Sequence, residues 1–258
     1  MQRLRRYIVL VLFATVLVWL SFFSCAGVKI NNVDSYYSND YERSVKVEMQ
    51  NFAFLVKEFS TTIPDPWCEE DCETVVPLSS ASGVVLTADR TSIYVLTAAH
   101  FCDPEKINTF FPEDIQIIGY VGEQPRVMEI FGYDDYNDIC ILKGVKFVNE
   151  KYKNIKIADK YPKIGERVIN IAAPSGVAGP HIRLMFDGYF GGCDDSCIFT
   201  VPATFGSSGS AIFNEDGELI TILVAVLHNF DNVSVGPTND QLRYFILSID
   251  EFVDIYTP

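Results

Sequence analysis

The apolar positions change their period along the chain. From Tyr41 to Ser60, the residues Val45, Met49, Phe52, Val56 and Phe59 recur at three- and four-residue steps, which predicts an amphipathic helix. From about residue 75 the pattern shortens to β-branched and aromatic runs: SGVVLTA, SIYVLTA, IQIIGYV, RVMEIFGY, DICILKGV, RVINIAA, IRLMFDGYF, SAIF, LITILVAVL and RYFILS. Gly, Pro, Asp and Asn separate them, and the polar ADRT between the first two predicts a hairpin. Many short strands of this kind predict an antiparallel barrel or sandwich. Ser248-Ile249-Asp250-Glu251 has the form of a capping box, and Ile249, Phe252, Val253 and Tyr256 then give one apolar face to a short helix over 248–256. The predicted fold class is all-β with a helix at each end.

The N-terminus has a different character. Arg3, Arg5 and Arg6 precede an uncharged apolar run from Ile8 to Ser24, which predicts an export signal or signal anchor over residues 1–26. Small residues at Ser24-Cys25-Ala26 suit a signal peptidase, and Cys25 sits in a partial lipobox that would carry a lipid. Either fate places the remainder outside the cytoplasm: secreted, periplasmic, or anchored and facing outward. Membrane contact is expected only through this segment or a lipid on Cys25. Residues 27–66 read as a polar tether followed by the amphipathic helix, and 67–258 as the main domain.

Charge narrows the partners. The 258 residues carry a formal net charge of −14, with no basic run after the first six residues, which argues against nucleic acid. Beyond Cys25 the cysteines are Cys68, Cys72, Cys102, Cys140, Cys193 and Cys197. An even number in an exported chain favours disulfides. Zinc held by the two Cys-x3-Cys segments (Cys68, Cys72, Cys193 and Cys197) is the alternative. The expectation is no metal and no organic cofactor.

The chemistry starts from three histidines, His100, His181 and His228. His100 ends the run YVLTAAH, where a side chain can face a cleft. Asp138 opens the apolar DICILK, an awkward place for a carboxylate unless a specific donor holds it. In TFGSSGSAIF, glycines on both sides of the paired serines allow a tight turn whose amide N–H groups point into one concavity. An esterase elbow would need Gly at position 210, and its remaining partners, Asp216 and His228, follow too closely for that fold.

In this order, VLTAAH, DICILK and GSSGSAIF resemble the three signature segments of the chymotrypsin-like serine peptidases, closest to the HtrA/Deg-type and glutamyl-endopeptidase branches. KIGERVINIAAPSGV and YFILSIDEFVDIY resemble further segments of the second barrel and the closing strand and helix. The resemblance covers roughly residues 78–258. It implies two antiparallel six-stranded barrels (about 75–150 and about 160–247) with the site between them. It makes His100 the general base, Asp138 its orienting carboxylate and Ser208 the nucleophile, with the N–H groups of Gly206 and Ser208 as the oxyanion hole. Pro202 and Ala203 would form the base of the primary pocket, and Val224, Ala225 and Val226 one wall. Polypeptides are then the substrates, cut after apolar or small residues.

The departures from the pattern are specific. Ser207 replaces the zymogen aspartate, Ser210 replaces a glycine, and Leu223 stands where glutamyl endopeptidases have a histidine. No chain remains after Pro258 for the PDZ domain of HtrA proteins. Ser210, Phe101 and Phe205 near the site keep open one alternative, a protease-like binding module without turnover.

Overall fold

The computed structural model describes residues 47–63, 72–103, 115–122, 124–178, 182–227 and 230–256. The signal segment, the tether, Cys25, Cys68, His181 and His228 lie outside the described residues. No helix among the described residues is long and apolar enough to cross a membrane.

Six strands close the first barrel: β1 (Phe52–Ile63), β2 (Cys72–Ala88), β3 (Ser92–Thr97), β4 (Ile115–Val121), β5 (Gln124–Asp134) and β6 (Ile139–Val145). Their order around the barrel is β1-β2-β3-β6-β5-β4. The ADRT turn forms as expected, with Asp89 accepting from the Thr91 and Ser92 amides at 2.7 Å each. Strand β3 and residues 81–87 of β2 read as nearly continuous runs of apolar and small residues because both of their faces are buried. Val85 and Val95 fill the barrel with Leu55, Val121 and Leu142. Val84, Leu86, Tyr94 and Leu96 face the other way, onto Ile169, Ile171, Phe213 and the C-terminal helices.

The amphipathic helix expected through Ser60 is instead strand β1, preceded by a single 3-10 turn over Met49–Asn51. Leu55 and Ala53, which lie off the supposed helical face, are fully buried. Strand β1 pairs with β2 on one side and β4 on the other. A strand buried in this way has apolar residues at every spacing, so a three-four pattern is present without a helix.

The second sheet contains β7 (Arg167–Ala172), β8 (Leu184–Cys193), β9 (Cys197–Phe199), β10 (Ala211–Phe213), β11 (Leu219–Ile222), β12 (Ala225–Leu227) and β13 (Phe230–Gly236). Its order is β11-β10-β7-β8-β9-β13-β12, an open seven-strand sheet where six closed strands were expected. Val168, Phe190, Phe199, Val201, Ile212, Ile220 and Leu223 form its interior. LITILVAVL is split into β11 and β12, and β12 lies at the sheet edge.

RYFILS is helical rather than extended. It belongs to α2 (Asn239–Leu247), which follows the short α1 (Ala99–Cys102) in chain order. Thr238 and Gln241 form the capping box of α2, and Leu242, Phe245 and Ile246 bury one helical face while Tyr244 is exposed. The terminal helix α3 (Asp250–Tyr256) is present, but the Ser248 hydroxyl donates back to the Phe245 carbonyl at 2.7 Å and closes α2 instead. Phe252 packs on Tyr94, and the Tyr256 hydroxyl donates to the Leu86 carbonyl, so α3 is fastened to the first barrel.

Among the described residues two disulfides form, Cys102–Cys140 and Cys193–Cys197. The second closes the β8–β9 hairpin on itself, which uses up two of the four thiolates that the zinc alternative required.

One buried charge closes an end of the first barrel. Arg126 on β5 is 5% exposed. It donates to Glu150 in bidentate fashion (2.5 and 2.7 Å) and to the carbonyls of Val121 and Val145, with the Phe147 ring against its guanidinium. Burial pushes the Glu150 carboxyl up, but its bonds from Arg126 and the Phe147 amide outweigh this and hold it below the ordinary carboxylate range. The folded chain therefore binds that proton less readily than the unfolded chain. The stabilisation is complete above about pH 4.3 and is lost as pH falls further. Glu150→Gln leaves a buried guanidinium without its counter-charge and is expected to cost about 3 kcal/mol at neutral pH. Urea unfolding at pH 7 and pH 3 checks this: the difference from the parent should shrink at the lower pH.

Candidate active site

His100 sits in the first turn after β3, on α1, and Asp138 immediately precedes β6. Strands β3 and β6 are paired neighbours, with Thr97 opposite Cys140. Adjacent strand ends thus bring the two residues together. The Asp138 carboxylate is held at both oxygens: Oδ2 lies 2.7 Å from His100 Nδ1, and Oδ1 accepts from the His100 backbone N–H at 2.7 Å. This two-point grip fixes the imidazole orientation and the tautomer, with the proton on Nδ1 and Nε2 left as the basic nitrogen. Asp138 has a left-handed backbone, φ 56°. That costs an ordinary residue roughly 1–2 kcal/mol, and aspartate tolerates it better than most. The Cys102–Cys140 disulfide crosslinks the same two segments, two residues beyond each partner.

The surroundings are acidic. Partial burial, the hydrogen bond to Asp135 and the charges of Asp135, Asp103 and Asp138 push the Tyr133 phenol up to about 12. It stays neutral at physiological pH among these carboxylates. Asp134 is the last residue of β5 and accepts from the Asn137 side chain, and Asp135 stands in the turn before β6 and accepts from Tyr133.

The serine turn is held against the first barrel by backbone contacts. Ser82 of β2 donates its N–H to the Ser208 carbonyl (2.8 Å) and its hydroxyl to the Gly206 carbonyl (2.7 Å). Gly209 has φ +80°, and a Cβ there would collide with Thr97 Oγ1 and the Ser82 carbonyl and lie 2.8 Å from the Ala98 N. Gly209, which follows the half-buried Ser208, is therefore seated against the two residues that lead into the His100 turn. The amides of Gly206 and Ser208 find no acceptor among the described residues, whereas those of Ser207, Gly209 and Ser210 are bonded within the domain. Two neighbouring N–H groups without an internal partner are what a developing oxyanion requires.

Ser210 does not crowd the cleft. Its side chain is fully buried and accepts from the Asn170 amide at 2.7 Å, and the same amide donates to the Ala211 carbonyl. The residue in the glycine position is thus a tie between the turn and β7. Of the two phenylalanines, Phe101 is buried with the Lys57 ammonium over its ring, and Phe205 is 91% exposed.

The expected pocket residues separate into two groups. Pro202 and Ala203 are half-buried in the segment after β9, with Ala203 packed on the interior of the second sheet. Val224 is half-buried on the inter-lobe core, and Ala225 and Val226 are exposed on β12. None of the five is charged. Opposite Val226 in the ladder is Ser234 of β13, whose buried hydroxyl lacks a hydrogen-bond partner. Ser82, Asn170 and the Cys102–Cys140 pairing support this arrangement without being legible beforehand, because their contacts are with segments remote in sequence.

The trypsin-like peptidase domain family matches residues 81–222, which include His100, Asp138 and Ser208. A serine protease HtrA-like protein of Staphylococcus epidermidis is 27% identical over 200 residues, covering 70% of this chain and 32% of its own length. Its Staphylococcus aureus counterpart is 25% identical over 179 residues, covering 62% and 22%. The chain thus spans about a third or less of the curated relatives it matches. Among solved structures, the active form of the Rv3671c protease from Mycobacterium tuberculosis superposes with a TM-score of 0.56 at 16% identity, over 78% of this chain and 80% of that one. The serine endoprotease from Yersinia pestis gives 0.56 at 17% identity, over 81% and 65%. These two share the fold. The family match extends over more than half of the residues and spans both sheets, and the chain belongs to the trypsin-like peptidase family.

Proposed function

We propose that the protein is an exported serine endopeptidase that hydrolyses polypeptides through an acyl-enzyme. The observation that carries this reading is the seating of Gly209 on Thr97 and Ala98, which brings the Ser208 turn onto the residues leading to a carboxylate-held imidazole. His100 takes the Ser208 hydroxyl proton as Oγ attacks the scissile carbonyl. The N–H groups of Gly206 and Ser208 then receive the oxyanion. His100 returns the proton to the leaving amine, and water repeats the sequence on the ester. Asp138 orients the imidazole and stabilises the imidazolium when it forms. Nothing in this scheme calls for a metal or an organic cofactor.

The exposed edge of β12 offers main-chain groups to an extended peptide, with Val226 and Leu227 beside it as apolar contacts. The uncharged set Pro202, Ala203, Val224, Ala225 and Val226 favours an apolar or small residue before the cut. Two disulfides support an oxidising, extracytoplasmic compartment. Export through residues 1–26, with any lipid on Cys25, belongs to the same reading.

Labelling with an alkyl fluorophosphonate tests the nucleophile. The parent should be labelled and Ser208→Ala should not, whereas an unlabelled folded parent would leave only the binding-module alternative. His100→Ala and Asp138→Asn should each lower kcat/KM for a peptide anilide by about 10⁴-fold, the asparagine because its amide N–H groups face donors and favour the wrong tautomer. A peptide panel varied only at the residue before the cut should favour Ala, Val or Leu, and dominant cleavage after Arg or Glu would contradict the pocket assignment.

A further inference from the structure

The two N–H groups assigned to the oxyanion belong to the peptide planes Phe205–Gly206 and Ser207–Ser208. In a trans peptide the N–H and C=O point in opposite directions, so whatever holds the carbonyl also aims the amide. The Ser207 carbonyl is held from within the turn, by the Ser210 N–H at 3.0 Å. The Phe205 carbonyl is held from outside it, by the Ser175 N–H at 2.5 Å. Ser175 lies in the Pro174–Gly176 turn that follows β7.

Three observations make that turn more than a neighbour. Ser175 has φ 54°, one of two non-glycine residues with a positive φ among those described; the other is Asp138 of the His100 pair. Its side chain is exposed and has no packing role that would explain the strained backbone. The fit against the serine turn is close: Gly206 has φ +87°, and a Cβ there would lie 2.6 Å from the Ala173 carbonyl and 3.1 Å from the Ser175 N. Strain at a solvent-facing residue persists only where surrounding structure enforces it.

From this geometry we infer that Ser175 is a positioning residue for the oxyanion hole, its left-handed backbone clamping the Phe205 carbonyl so that the Gly206 N–H faces the substrate. When Ser175 leaves that conformation its N–H turns away, and the Phe205–Gly206 plane loses its external anchor. The Gly206 donor is then free to rotate out of the site. The inference rests on the serine-peptidase reading above and adds to it how one donor is aimed.

Because the side chain is exposed, substitutions at 175 change the backbone preference with little change in packing. Gly and Asn accept a left-handed φ readily, Ala less so, and the β-branched Val poorly. The experiment measures phosphonylation by an alkyl fluorophosphonate, in which the Ser208 Oγ–P bond forms, the P–F bond breaks, fluoride leaves and the hydroxyl proton passes to His100. In the full chain, the maximal labelling rate should follow the left-handed preference. Ser175→Gly and Ser175→Asn should match or exceed the parent. Ser175→Ala should be about 10-fold slower and Ser175→Val about 10²-fold slower, within the range for loss of one oxyanion donor. The half-saturating probe concentration should stay within about 3-fold throughout, which a merely structural role would not produce, and near-UV circular dichroism reports the folded state of each variant. Equal rates across the series overturn the inference, as does a loss shared equally by Gly and Val. If the Val variant does not fold, the Gly-to-Ala contrast decides, and equal rates there overturn it. A parent unlabelled at Ser208 would sink the peptidase reading itself, whereas a labelled parent with a flat series would sink only the clamp.

Discussion

Ser82 is the residue on which the active arrangement depends. It stands on β2 of the first barrel, fully buried, yet nearly every polar group it has is committed to joining the two lobes. Its N–H and hydroxyl hold the Ser208 and Gly206 carbonyls, its hydroxyl accepts from the Ala173 amide at the end of β7, and its own carbonyl accepts from Thr97 Oγ1 beside the His100 turn. One small residue, through its hydroxyl and both of its backbone polar groups, thus fixes the serine turn, the end of the strand that supports it and the segment leading to His100 relative to each other. A buried hydroxyl of this kind contributes only about 1 kcal/mol per bond, but leaving its partners unsatisfied would cost more. The contribution to function is geometric, since a misplacement of about 1 Å in a catalytic constellation can cost roughly 100-fold in rate.

The same logic recurs around the site. His100 is oriented by two bonds from one carboxylate and by a crosslink between the segments that carry the pair. The serine turn is held by its carbonyls, through Ser82, Ser175 and Ser210, while the amides of Gly206 and Ser208 have no acceptor among the described residues. Backbone strain lies here too: Asp138 and Ser175 are the two non-glycine residues with a left-handed φ among those described. The closed barrel and the second sheet supply the rigidity that tolerates it, because β3 and residues 81–87 of β2 are packed on both faces and cannot relax independently. Preorganised dipoles in such a frame need not reorient as charge develops.

The departures from the family pattern have local explanations in packing. Ser210 takes a glycine position without filling the cleft because Asn170, fully buried on β7, offers its amide from below. The two residues form one unit, and neither has a clear meaning alone. At the far end of the first barrel, Arg126 and Glu150 are also a pair whose members lie in different segments. In each case a buried polar group is tolerated because its partner is supplied by the tertiary fold.

By itself the sequence determined the all-β class, the ADRT hairpin, most of the strands, a short terminal helix and the three segments bearing His100, Asp138 and Ser208. Those features are local: period-two runs, turn residues and short motifs are written in consecutive positions. What it misstated were segments whose structure is set by their neighbours. Residues 52–63 became a strand because β2 and β4 flank them, RYFILS became a helix because Thr238 and Gln241 cap it and Leu242, Phe245 and Ile246 bury one face, and Ser248 closed α2 rather than opening α3. Only the tertiary structure decided that Ser82 joins the lobes, that Cys102 pairs with Cys140, that Asn170 meets Ser210 and that the Ser175 amide reaches the Phe205 carbonyl. The physical reason is the same throughout: a hydrogen bond or crosslink between residues far apart in sequence leaves no periodicity along the chain, and its partners are chosen only when folding brings them within about 3 Å.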